Sequence, residues 1–224
     1  MDKFESFENE TRRVFRDHSL FEQTHLSLQQ LTAVFSQYFE PLHYFPNFLS
    51  HLTALLPSLA QKTFVSQILY QELGEGIPHR AHEVAFLDCL KEMGISEDAI
   101  HHAPIFRETT ELMTLYRDSS TNLELALGML FATEVADLAI ITGLHKLIKG
   151  RLGGAIPLWV KLHVEQEPDH VQASTATLCV AIKGVDSDKV LDFARDCAQA
   201  WHRFFTAIEQ EVCISERKIA VGVK

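Results

Sequence analysis

The chain has 224 residues, 46% of them apolar and 15 of them Phe, enough to bury a sizeable core in one large domain. Its formal net charge is −10, and no basic cluster exceeds the pairs Arg12–Arg13 and Arg217–Lys218, which argues against a nucleic-acid-binding face. The N-terminal MDKFESFENETRR lacks the apolar run of a signal peptide, and the longest apolar stretch, 125–141, is interrupted by Glu134 and Asp137, so no membrane span is expected.

Helical periodicity runs through the chain, and no alternating strand pattern competes with it. Over 2–17, Phe4, Phe7, Thr11, Val14 and Phe15 form one apolar stripe. Ser27 and Gln30 make a capping box that opens a helix to about Phe39. Pro41 and Pro46 are expected to kink or break the stretch that follows, although Phe45, Phe48, Leu49, Leu52 and Leu56 continue a helical face. A further helix covers about 59–73. GEGIP, residues 74–78, interrupts it, and a helix from about His79 to Met93 ends at Gly94. Ser96 caps a short turn, and 104–117 forms the next helix. Asn122 caps a long one to about Lys149, ended by Gly150. Segments 157–166 and 168–182 follow. Asp186 or Ser187 opens the last long helix, to about Val212, leaving 215–224 as a polar tail that frays. These elements describe a single all-α domain over 1–214, a bundle of about seven to nine helices. Cys89, Cys179, Cys197 and Cys213 show no paired spacing and read as reduced, mostly buried thiols of a cytoplasmic protein.

Twelve His in the chain give the first sign of chemistry. Three stretches carry side chains that bind metals. The first is the helix around Glu134, apolar nearly all round, where an unpaired buried carboxylate must be protonated, paired or metal-bound. Its plainer reading is a partly wet Glu beside Asp137. The second is HVEQEPDH, 163–170, where His163, Glu167 and His170 share a face if the helix continues. Glu165 and Asp169 point elsewhere and read as an ordinary polar corner. The third is QELGEGIPHRAHE, 71–83, where Glu72 or Glu75 and His79 or His82 are open choices, and a charged loop is the plain alternative. Together Glu72, His82, Glu134, His163, Glu167 and His170 are three carboxylates and three imidazoles from separate helices. Oxygen and imidazole donors in that mixture suit two iron or manganese ions better than a structural zinc.

The order Glu…His, then Glu in an apolar helix, then His-x3-acid-x2-His resembles the haem-oxygenase-like dimetal oxidases and oxygenases, relatives of the chlamydial protein associating with death domains. ELGEGIPHRAH (72–82) is similar to the ELGxGxPxxxH pattern of that superfamily's iron-containing redox enzymes, HVEQEPDH fits its third motif with Glu167 where Asp is common, and YFEPLHYFPNFLSHL (38–52) resembles its second helix. The resemblance covers about 15–212. It implies a haem-oxygenase-like bundle, often a homodimer, and it favours His82 over His79. It assigns Glu72, His82, Glu134, His163, Glu167 and His170 as ligands of two metals, Fe/Fe or Fe/Mn. It further implies activation of O2 to oxidise or cleave a small amine, amino-acid or fatty-acid substrate. Two other readings come with it: a metal-independent biosynthetic or salvage enzyme like the thiaminase (TenA) and quinone-cofactor synthase (PqqC) branches, and a protein-interaction module with a structural metal.

Overall fold

The computed structural model describes residues 2–23, 25–166, 170, 175 and 184–221, with the side chains of 2 and 214–221 excepted. Among them every regular element is helical: α1 (Asp2–Arg16), α2 (Leu28–Leu55), α3 (Leu59–Glu72), α4 (His82–Glu92), α5 (Glu97–His101), α6 (Arg107–Ser119), α7 (Leu123–Ile148), α8 (158–166) and α9 (Ser187–Val221), with single 3-10 turns at Ser19–Glu22 and Pro78–Arg80. Of the expected helix over 168–182 only residues 170 and 175, both helical, are described; the rest of it, Cys179 included, lies outside the described residues.

The caps read from sequence form. Ser27–Gln30 closes a reciprocal capping box, and Asn122 accepts from the Leu125 amide at 3.1 Å; Ser58–Gln61, which the sequence reading did not single out, closes a second such box. Asp186, rather than Ser187, opens α9, accepting from the amides of Asp188 at 3.0 Å and Lys189 at 3.3 Å.

α7 is the axis of the bundle. It packs against α9, α1, α6 and α2. Every residue from Ala126 to Ala136 is buried, including Glu134. By length and composition α7 could cross a bilayer, but 67% of its most apolar window lies inside the fold, as expected of a core helix. Gly128 lets α9 approach this closely: a Cβ there would stand 2.6 Å from the Val190 carbonyl oxygen.

Four expectations are corrected. Pro41 and Pro46 do not break α2, which runs unbroken from Leu28 to Leu55. Each proline costs about 3 kcal/mol. The buried row Phe35, Tyr38, Phe39, Phe45, Phe48, Leu49 and Leu52 contributes about 1.5–3 kcal/mol per side chain, which outweighs both. α4 begins at His82, not His79, because Ala81 is extended (φ −56°, ψ 138°). α6 begins at Arg107, not Pro104. Its N-cap, Phe106, has no capping side chain, and buried Gln37 of α2 supplies the missing bonds. Its Oε1 accepts from the Phe106 amide at 2.9 Å and the Thr109 hydroxyl at 2.7 Å, and its Nε2 donates to the Pro104 carbonyl at 2.9 Å. Finally, α9 extends to Val221 through the expected frayed tail, since no Gly or Pro interrupts it before Gly222.

Gln37→Leu leaves three polar groups without partners, so it should destabilise the fold by about 2–4 kcal/mol in urea unfolding. A loss under 1 kcal/mol would contradict this account of the α6 N-terminus.

Candidate metal centre

Five of the six residues singled out from sequence come together in one buried cluster. The sixth, Glu167, lies outside the described residues, as does Asp169. Glu72 ends α3, His82 opens α4, Glu134 sits at the middle of α7, and His163 lies on α8, with His170 beyond it. All five are buried, from 1% exposed at His82 to 7% at Glu72. His79 is exposed and Glu75 turns to Arg80 at 3.5 Å, so the cluster contains His82 and Glu72 rather than their neighbours.

A backbone device brings Glu72 to His82. Gly74, Glu75 and Gly76 all adopt positive φ, of 82°, 56° and 81°. The chain therefore reverses within a few residues and returns through the 3-10 turn at Pro78–Arg80. At Gly74 a Cβ would meet the Ile77 carbonyl oxygen at 2.4 Å and the Ala81 nitrogen at 2.5 Å, so the turn closes only on glycine.

His82 Nδ1 lies 2.9 Å from Glu72 Oε2, a close contact that lacks hydrogen-bond alignment. His170 Nδ1 lies between two carboxylates, 3.5 Å from Glu134 Oε2 and 3.9 Å from Glu72 Oε1. The His82 and His163 rings are 4.3 Å apart between centroids. His163 Nδ1 donates to the Trp159 carbonyl at 2.8 Å, which leaves the lone pair on Nε2. A cavity of about 40 Å³ opens against Glu72, Glu134, His163 and His170, with Tyr38, Phe45 and Trp201 among its other walls. That volume holds about three water-sized occupants.

Burial and mutual charge shift Glu72, His82, His163 and Glu134 from their ordinary values. Burial would raise the Glu72 carboxyl, but the charge and contact of His82, then the other imidazoles, hold it down at about 2. Burial would lower His82, and Glu72 outweighs it in the opposite direction. Burial, reinforced by His82, pushes His163 down to about 3. Burial, then the charges of Asp137 and Glu72, pushes Glu134 well above the ordinary carboxylate range. Neither Glu134 oxygen has a hydrogen-bond partner, although the residue is only 2% exposed.

Among the described residues no three His, Cys, Asp or Glu side chains stand as a closed ligand set about one point. The donor chemistry nevertheless fits a cation. Glu134 presents two orphaned oxygens, His163 an unprotonated nitrogen, and Glu72 an ionised carboxylate to the same cluster.

Two supporting residues escaped the sequence reading. Gln166 is buried on α8, and its Oε1 accepts from His82 Nε2 at 2.8 Å, which turns Nδ1 toward Glu72. The signal was available: Gln166 is three residues past His163, on the same face. Asp137, three residues past Glu134, lines the cavity with Oδ2 4.0 Å from His163 Nε2. The Trp159 carbonyl that orients His163 carries no sequence signal at all. Gln166→Leu should weaken metal binding about 10–100-fold by freeing the His82 ring, whereas exposed Glu165→Ala should leave binding unchanged. Isothermal titration of both variants checks this; equal affinities would contradict the orienting role.

The comparisons with known proteins agree with this architecture. A family model described as iron-containing redox enzyme matches residues 32–202. A CADD-like protein of unknown function from Nostoc punctiforme PCC 73102 superposes with a TM-score of 0.74 at 16% identity, over 95% of this chain and 99% of that one. A domain of unknown function with a heme oxygenase-like fold from Shewanella denitrificans OS217 gives 0.70 at 11% identity, over 96% and 92%. A TenA homologue from Pseudomonas syringae pv. tomato DC3000 gives 0.70 at 12%, over 90% and 89%. At these identities the solved structures speak for the fold. A comparison with curated proteins finds no match.

Proposed function

The chain belongs to the family of iron-containing redox enzymes with a haem-oxygenase-like fold, and on that premise we propose that it is a non-haem dimetal oxidase or oxygenase, using two iron ions or iron with manganese and O2 to oxidise or cleave a small organic substrate. The observation that carries the reading is Glu134: a carboxylate on the core helix, with both oxygens buried, no hydrogen-bond donor to either, and two imidazoles and Glu72 about the same cavity. A packing role would be filled better by an apolar side chain.

When bound, the metal pair supplies the electrons that reduce dioxygen. Glu72, Glu134, His82, His163 and His170, with Glu167, would hold it. The chain's own residues do the rest. Carboxylates offset the metal charge, and Glu134 surrenders its proton when a cation arrives. Gln166 fixes the His82 ring and the Trp159 carbonyl fixes the His163 ring, so their free nitrogens need no reorientation. Leu42, Phe45 and Trp201 keep bulk water from the cavity, and the Tyr116 hydroxyl, bonded to Thr133 at 2.7 Å, places one polar group on its wall.

Among the described residues no thiol lines the cavity, so metal-independent chemistry by a thiolate finds no support there. Burial pushes the Cys89 thiol up to about 12 and the Cys197 thiol higher still, and neither lines the cavity. The deciding experiment is O2 uptake by protein loaded anaerobically with Fe(II). Rapid uptake that is absent after chelation and in Glu134→Ala supports an oxidase or oxygenase. Uptake no faster than that of Fe(II) in buffer sinks it.

A further inference from the structure

Asp137 has no part in the ligand set drawn above, yet it faces the same cavity. It lies one helical turn past Glu134 on α7, so the two carboxylates share a face. It is half-buried and lines the cavity together with Glu72, Glu134, His163 and His170.

What Asp137 faces is specific. Its Oδ2 stands 4.0 Å from His163 Nε2. His163 Nδ1 is 2.8 Å from the Trp159 carbonyl, an acceptor, so the ring proton must be on Nδ1. The opposite tautomer would set two acceptors against each other at that distance. Nε2 therefore turns a lone pair toward a carboxylate oxygen. At 4.0 Å the two acceptors are too far apart for a direct hydrogen bond, and what stands between them must serve both, as a cation bonded to each or a water donating to each does. Two metal–ligand bonds of about 2.0–2.2 Å, meeting at an obtuse angle, span this gap. The second, independent sign is Glu134, with two orphaned oxygens a turn away on the same helix face.

We propose that Asp137 is a further metal ligand of this centre, sharing with His163 the metal on the α8 side of the cavity. The proposal rests on the dimetal reading above and goes beyond its ligand set. It gives the centre a third carboxylate among the described residues, beside Glu72 and Glu134. It also explains why a partly wet Asp follows a buried Glu on the most apolar helix of the chain: each carboxylate serves its own side of the cavity.

The test is an anaerobic Mn(II) titration of the chelated full-length protein, with free Mn(II) counted by its EPR signal. Wild type, Asp137→Asn and Asp137→Glu are compared, with circular dichroism as the fold control. Asparagine keeps the size and one oxygen but removes the charge. The expected result is about two equivalents in wild type. In Asp137→Asn one equivalent keeps its affinity and the other weakens by about 100-fold, and Asp137→Glu restores the second. Two equivalents at wild-type affinity in Asp137→Asn would overturn the proposal and leave the dimetal reading standing. Absence of specific Mn(II) or Fe(II) binding in wild type would overturn both.

Discussion

Glu134→Met should raise the melting temperature of the metal-free protein while abolishing iron binding. The two effects have one cause. Glu134 is 2% exposed, neither oxygen accepts a hydrogen bond, and Asp137 and Glu72 add like charge beside it. In the metal-free fold that carboxyl is a cost, and its one charged neighbour of opposite sign among the described residues, His170 Nδ1 at 3.5 Å, makes no hydrogen bond to it. Methionine has nearly the same length and fills the same space without polar atoms. Replacing such a group by an apolar one stabilises by about 1–4 kcal/mol, which in a chain of this size corresponds to a rise of several degrees. Glu134→Gln is the control: it retains two unsatisfied polar atoms and should gain far less. A residue kept for packing behaves the other way. A lower melting temperature in Glu134→Met would mean that the carboxylate stabilises the fold, and the case for a metal would lose its main support.

Gly74→Ala should cost both stability and metal. The added Cβ meets the backbone at Ile77 (2.4 Å), Ala81 (2.5 Å) and Arg80 (2.7 Å), and the residue sits at φ +82°. None of these neighbours is a flexible side-chain tip, so the turn must open. Opening it separates the end of α3 from the start of α4, and with them Glu72 from His82. A loss of about 3–5 kcal/mol and at least about a tenfold drop in iron affinity are expected. Gly76→Ala distinguishes this clash from generic glycine strain. Its φ is +81°, but its nearest neighbour is the Tyr70 hydroxyl at 3.7 Å. It should cost about 1 kcal/mol and leave iron binding intact. Chemical unfolding and iron titration of both variants check this; equal losses would show that backbone conformation, not closure of the turn, is what matters.

The residues that meet in the cluster were legible because each breaks a local rule. Glu134 is a carboxylate in an apolar helix, His163 and His170 crowd one short segment, and Glu72 and His82 flank a glycine-rich stretch. The helices were legible for the opposite reason, that caps and periodicity agree with the fold at Ser27, Ser96 and Asn122. Where sequence reasoning failed, tertiary contacts decided. The prolines of α2 are tolerated because of the aromatic row buried with them. The start of α6 depends on Gln37, about seventy residues earlier in the chain. The orientation of His163 depends on a backbone carbonyl that any residue type would supply. Asp137 figures in the sequence reading only as the neighbour of a partly wet Glu134, because helical spacing alone cannot say that His163 stands near it.

The central claim is that this cluster holds two metal ions, and one measurement addresses it most directly: anaerobic Fe(II) titration of the chelated wild-type protein, with bound iron counted and characterised by Mössbauer spectroscopy. The account predicts about two high-spin ferrous ions per chain, bound together and lost together in Glu134→Ala and His170→Ala. No specific binding, or iron retained in both variants, would contradict it.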